Sequence, residues 1–361
     1  MYNLVAQSDS SPTIYDLWEA EQQSSYKQFL QTPPEVGGTG FKNLQWTPDG
    51  SSIITEGEDG GVRLFVCPPD ILDKPQHQKL RPIARKFFLP HINSSCVHPQ
   101  FSLSDSRCLA AVAAKDFPVR LYNLIDPNGI ALSSYSVQHK ETEEFATILD
   151  ITFSHTGTLL AVGSKRKISL FQSDQSHQDP VEELLVDSMV SALAFSSDDR
   201  LLAAGTFSGS CSMYDLRSPG SAAEQHQTTG HTTQILWSQD DCYIYKIHRR
   251  GPVEILDIRK DLQSIATLDS GLDTNLRIRG DTTGSAFMLG TEQGMARLWP
   301  NPIQNQNECY IQNFYDYKAI TAIAANPLVG LQLLASCSAG DEGCLKLWSD
   351  SDHKASPSST T

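Results

Sequence analysis

The stretch AVGSKRKISLFQ places Lys165, Arg166 and Lys167 in succession at a tight turn, in a chain whose formal charge is -14. Three adjacent cations at such a point are either solvated or positioned to hold phosphate. Lys115, Arg249 and Arg250 stand at corresponding turns elsewhere, so Lys115, Lys165, Arg166, Lys167, Arg249 and Arg250 form one candidate RNA-binding set. A pI of about 5.1 argues against nucleic-acid binding over the whole surface. It is compatible with a local patch, because exposed charges separated by more than roughly 8–10 Å are largely screened.

Other chemistry is hard to place. No Gly-rich phosphate loop, HExxH or GxSxG is present, so no catalytic residue, cofactor or small-molecule substrate is expected. The eight cysteines never form a CxxC pair. Cys108, Cys211, Cys242 and Cys344 lie in strand-like runs and read as reduced thiols of the cytosol or nucleus. Cys96 with His98 falls short of the four ligands zinc needs. The N-terminus lacks the basic and apolar regions of a secretory leader, and no apolar run approaches the ~20 residues of a membrane span.

The elements that must position these cations are short strands. NLQWTPDGSSIITEGEDGGVRLF, DITFSHTGTLLAVGSKRKISLF and SALAFSSDDRLLAAGTFSGSCSMY share one pattern, as do TQILWSQDDCYIYKIHRRGPVEIL and LRIRGDTTGSAFMLGTEQGMARLW. Each has an alternating segment, a polar turn, an apolar run, a second turn and a segment leading to a large apolar residue. Period-two alternation cut by such turns signals β-hairpins. Trp46 to Phe65, Phe195 to Tyr214, Trp237 to Leu256 and Gly280 to Trp299 each span 19 residues, and Phe153 to Phe171 spans 18. Phe101 to Tyr122 and Ala325 to Trp348 are looser copies, which brings the count to seven.

The closing residues of the copies recur at intervals of 57, 49, 43, 42, 43 and 49. That is near the ~40–45-residue period of a WD repeat, which supplies four strands per propeller blade. The expectation is an all-β, seven-bladed WD-repeat β-propeller over residues 24–349. Residues 1–23 form a partly disordered N-terminal segment and residues 350–361 a disordered tail. PIARKFFLP, IALSSYSV, VEELLV, SIATL and CYIQNF supply outer strands. Tyr26 to Leu30, similar to ARKFF, closes the last blade.

In such a fold the turns between second and third strands share one face. That face divides into a basic arc, the six cations above, and an acidic arc of Glu56, Glu58, Asp59, Glu292, Asp341 and Glu342. The opposite face carries Asp49, Asp105, Asp198, Asp199, Asp240, Asp241 and Asp281. Phe117 and Phe207 are candidate stacking groups for unpaired bases near the rim. His231, in TGHTT, reads as a hydrogen-bonded structural histidine.

FKNLQWTPDGSSIITEGEDGGVRLFVCPP and DTNLRIRGDTTGSAFMLGTEQGMARLWP resemble the first and sixth blades of the telomerase Cajal body protein family. TILDITFSHTGTLLAVGSKRKISLF and AITAIAANPLVGLQLLASCSAGDEG extend the likeness, which covers about residues 41–349. In layout the chain is more similar to the compact fungal members, nuclear splicing factors that associate with spliceosomal small nuclear ribonucleoproteins. The resemblance implies a nuclear, non-enzymatic adaptor, monomeric within a complex, that binds small nuclear RNA or ribonucleoprotein particles and their proteins in pre-mRNA splicing. A Cajal-body or telomerase small-RNA factor and a protein scaffold without RNA contact are the alternatives. TIYDLWEAE, residues 13–21, is a candidate docking segment for the scaffold reading.

Overall fold

The apolar runs of the second strands put side chains on both faces, and a ring of packed sheets covers both. The structure, a computed structural model, describes residues 1–8, 40–72, 78–88, 91–138, 144–174, 179–218, 224–228, 230–315, 318–340 and 343–350. The first copy is a four-stranded antiparallel sheet of Phe41–Trp46, Ser52–Gly57, Gly61–Val66 and Pro82–Phe87. The second, fifth and sixth copies repeat that meander.

Among the described residues the hydrogen-bonded sheets number six, not the seven separate blades expected. The third and fourth copies share one six-stranded sheet because Leu159–Gln172 runs through a turn of the third copy and Glu182–Phe195 runs on from the third copy into the fourth. Leu159–Gln172 pairs through its first half with Asp150–Phe153 and through its second half with the start of Glu182–Phe195. Arg166, at φ 63°, marks the turn between the halves, which is too short to interrupt the ladder. Glu182–Phe195 continues without a break into pairing with Leu201–Thr206. The sequence shows each turn and each strand, but not whether hydrogen bonding lapses between them.

The outer strands lie where alternation suggested, with one addition. Glu224–Gln227, reading EQHQ, is the outer strand of the fourth copy and has no apolar alternation to reveal it. Closure is also relocated. Tyr2–Ser8 pairs antiparallel with Leu345–Asp350, with Leu4 opposite Trp348, and lies parallel to Gln78–Leu80. Residues 2–8 are thus part of the last sheet rather than of a separate N-terminal segment. Tyr26–Leu30, Trp18, the segment 13–21 and the tail 351–361 lie outside the described residues.

An apolar cluster fills each junction between neighbouring copies. Ile54, Leu64, Val112 and Tyr122 join the first to the second. Phe41, Trp46, Leu333 and Leu347 join the first to the last and complete the ring. Trp46 Nε1 donates to Ala324 O at 3.2 Å and Thr321 Oγ1 to Phe41 O at 2.7 Å across that same junction. Trp46, Trp237, Trp299 and Trp348 are all buried.

The first-to-second turns have a local logic. Thr47, Ser196 and Ser238 each donate a hydroxyl to the aspartate two residues on, Asp49, Asp198 and Asp240. Each also accepts the amide of the residue five positions on. Other aspartates of this face brace neighbours. Asp199 accepts the His155 and Thr156 amides at 2.6 and 2.9 Å, and Asp241 accepts the Ser197 amide at 3.0 Å. Asp281 belongs to the strand Gly280–Thr283, not to a turn. The acids expected to make this face negative are therefore largely structural.

Candidate nucleic-acid interface

Two of the six predicted cations, Lys115 and Arg249, are placed by one recurring contact. The residue after the second strand donates its amide to the residue before the first strand of the same copy. Glu58 bonds Gly40, Lys115 bonds His91, Arg249 bonds His231 and Ala339 bonds Ala319, at 2.9 to 3.1 Å. Lys115 and Arg249 therefore occupy equivalent points on one face, and Lys165 and Arg166 form the corresponding turn of the third copy.

Their surroundings divide them. Lys115, Lys165 and Arg166 are exposed, and no carboxylate lies within ion-pair distance of them among the described residues. Lys167 is half-buried and bonds Glu183 at 2.6 Å. Arg250 pairs with Asp273 at 3.3 Å and donates to Asn275 at 3.2 Å. Arg249 is half-buried, with an Nε that finds no acceptor. The geometry thus leaves three of the six free to meet an anion.

Two cations that sequence reasoning missed adjoin them. Burial, and after it Lys42 and Lys115, hold the His91 imidazole below its ordinary value. Arg120 lies over Phe117, its Cζ 5.8 Å from the ring centroid. Phe117 is 43% exposed. Phe207 differs from expectation: it is half-buried and packs edge-on against His231 at 5.2 Å. His231 is exposed and uses its backbone carbonyl, not its ring, to hold Arg249.

The acidic arc is thinner than its sequence. Glu56 is buried and accepts Asn43 Nδ2, Ser95 N and Ser95 Oγ, which ties the first copy to the second. Asp59 pairs with buried Arg63. Asp341 and Glu342 lie outside the described residues.

A second charged group sits among the inner strands. Arg277 donates to Leu149 O, Asp150 Oδ1, Ser191 O and Thr233 O, and so touches the third, fourth and fifth copies from the sixth. Arg279 reaches the same Asp150 oxygen at 3.2 Å. Burial, and then Arg279, pull the Arg277 guanidinium down to about 10, which leaves it charged at neutral pH. This is a structural pin whose donors are consumed internally.

No group of three or more His, Cys, Asp or Glu residues has a metal-ligand arrangement among the described residues. Two clefts open between copies. One of about 680 Å³ is lined by His98, Arg107 and Thr156, and one of about 570 Å³ by Pro252, Arg297 and Ile311. Neither includes any of the six cations.

The family model for "WD domain, G-beta repeat" matches residues 183–215. That span contains most of the continuous strand Glu182–Phe195 and ends at Asp215. Among characterised proteins, the chain is 25% identical to Protein SWT21 of Candida glabrata over 77% of this chain and 70% of the relative. It is 22% identical to Telomerase Cajal body protein 1 of Bos taurus, over 79% of this chain and 56% of the relative. It is 25% identical to Guanine nucleotide-binding protein negative regulator 1 of Schizosaccharomyces pombe, over 82% and 79%. The chain is an all-β propeller that carries a WD repeat and is similar over most of its length to SWT21 and to telomerase Cajal body proteins.

Proposed function

We propose that this chain is a nuclear, non-enzymatic adaptor that binds small nuclear RNA or its ribonucleoprotein particles and acts in pre-mRNA splicing. The observation that carries the reading is the set Lys115, Lys165 and Arg166: exposed cations on one face, without carboxylate partners among the described residues, in a chain of formal charge -14. Unpaired cations release counterions on meeting phosphate, whereas paired ones must first break a bond. Similarity to telomerase Cajal body proteins supports a nuclear ribonucleoprotein setting. The similarity in layout to the compact fungal members favours splicing over the Cajal-body or telomerase alternative.

The test is binding of a labelled uridine oligomer across a salt series. Wild type should show a negative log–log slope of about 0.7 per phosphate contacted. The triple variant Lys115→Glu, Lys165→Glu, Arg166→Glu should lose binding while its melting curve stays unchanged. Equal binding by the triple variant refutes this site. Crosslinking and sequencing of bound RNA in cells then separates spliceosomal from Cajal-body and telomerase RNAs.

One observation favours a protein scaffold as a second reading. Ile83, Leu132, Val181 and Leu185, on the outer strands and strand margins of the first three copies, are each more than half exposed. Partners retained after nuclease treatment would support it.

A further inference from the structure

We infer that Phe117, flanked by Arg120, is a stacking platform for one unpaired nucleobase, so that the RNA crosses the first three copies as a single strand. The inference rests on the RNA reading above and adds to it the form of the ligand. Phe117 lies in the turn between Leu109–Ala114 and Val119–Asn123, where Asp116 adopts a left-handed φ of 62° and the Phe117 amide bonds back to Ala114 O. The ring at this turn is 43% exposed, whereas Phe207, which follows the second strand of the fourth copy as Lys115 follows that of the second, is covered by His231. Among the described large apolar side chains that are exposed, only Phe117 and Tyr310 are aromatic, and Tyr310 belongs to an outer strand.

The neighbours of the ring select its partner. Arg120 lies against it, and the turn itself carries Lys115 and Asp116. His91, at the start of the second copy, accepts the Lys115 amide, and Lys42 lies on the first strand of the first copy, where its charge acts on His91. An apolar protein side chain would meet mostly charge there. A nucleobase offers a π-face to the ring while its flanking phosphates meet Lys42, Lys115 and, one copy on, Lys165 and Arg166. Duplex RNA keeps its bases stacked inside and is read mainly by shape and backbone, so a solitary ring at a turn has nothing to grip.

The experiment compares a labelled uridine oligomer with an RNA duplex of the same length, using wild type, Phe117→Ala, Phe117→Trp and the triple charge variant. Phe117→Ala should bind the oligomer about 5- to 150-fold more weakly, the loss of one stacked base. Its salt slope should stay at the wild-type value, because no phosphate contact is removed. Phe117→Trp should restore affinity, and the duplex should bind wild type and Phe117→Ala alike. A 5-iodouridine oligomer should photocrosslink to Phe117. If Phe117→Ala binds as wild type does while the triple variant fails, the platform is wrong and the RNA site stands. If wild type binds neither RNA, both readings fall. If Phe117→Ala keeps RNA affinity but loses a nuclease-resistant partner, the ring is a protein contact.

Discussion

Arg277 Nη2 lies 3.0 Å from Asp150 Oδ1, joining the sixth copy to the third across the inner strands of the ring. Asp150 is fully engaged: it also accepts Arg279 Nη2, Ser94 Oγ and the Leu193 amide. One guanidinium and one carboxylate therefore couple four copies besides the sixth.

Removing Arg277 should be costly. Breaking a buried pair by deleting one partner typically costs about 3–5 kcal/mol, because the other charge is left uncompensated. Arg277 is half-buried and Arg279 stays beside Asp150, which places Arg277→Ala below that range, at about 2 kcal/mol. Arg277→Lys should recover only part of this, since a single ammonium cannot reach acceptors spread over three copies. Urea midpoints check both values. A midpoint unchanged in Arg277→Ala would show that the pin adds nothing to the fold.

What the sequence revealed and what it hid follow from distance along the chain. Trp46, Phe65 and their counterparts were legible because packing between sheets imposes an alternation visible within one copy. Tyr2–Ser8 was not, because its partner Trp348 lies at the other end of the chain, and YNLVAQS alternates no better than the stretch around Tyr26. Arg277 has partners 44 to 128 residues away and no local mark. The candidate cations were found as types at turns, but the pairing that divides them was not. Glu183 reaches Lys167 from an outer strand, and Asp273 reaches Arg250 from the approach to the next copy.

Closure by Tyr2–Ser8 predicts that the first eight residues matter more than their position suggests. Val5 is fully buried, and Tyr2 exchanges two hydrogen bonds with Gln312, at 2.9 and 2.6 Å. Deleting residues 1–8 exposes the edge of Leu345–Asp350, an invitation to intermolecular pairing. Val5→Asp buries a charge with no partner and should destabilise by more than about 3 kcal/mol. Thermal melting and light scattering should show both variants melting earlier and the deletion self-associating. Wild-type melting in both would remove the strand from the fold's essential parts.

Asp281 gives the fold a specific pH dependence. Burial raises its carboxyl to about 6, only partly offset by the Ala325 and Thr282 amides it accepts. Unfolded, it titrates near ~3.9. A folded value above the unfolded one means that the neutral acid suits the fold. Its contribution is complete below about pH 4 and is lost as pH rises through about 6. The stability of wild type relative to Asp281→Asn should thus fall by roughly 1–2 kcal/mol between about pH 4 and 7, allowing for partial solvent screening. Urea titrations at both ends measure the gap, and a gap that does not change with pH contradicts the assignment.

The division among the six cations makes the sharpest comparison, because all six have the same formal charge. Lys167 and Arg250 already satisfy Glu183 and Asp273, so a phosphate must displace a carboxylate before either can contribute. Exposed pairs are worth only about 0–1 kcal/mol, so displacement is feasible, but the net gain is small. Lys115, Lys165 and Arg166 carry no such cost. Single alanine substitutions at those three should each lower the magnitude of the RNA salt slope by about 0.7, whereas Lys167→Ala and Arg250→Ala should change it by less than half as much. Glu183→Ala frees Lys167 and should strengthen binding, the opposite of what a merely structural glutamate would do. Uniform effects across the six would mean that RNA reads the total charge of the face and that the pairing is irrelevant.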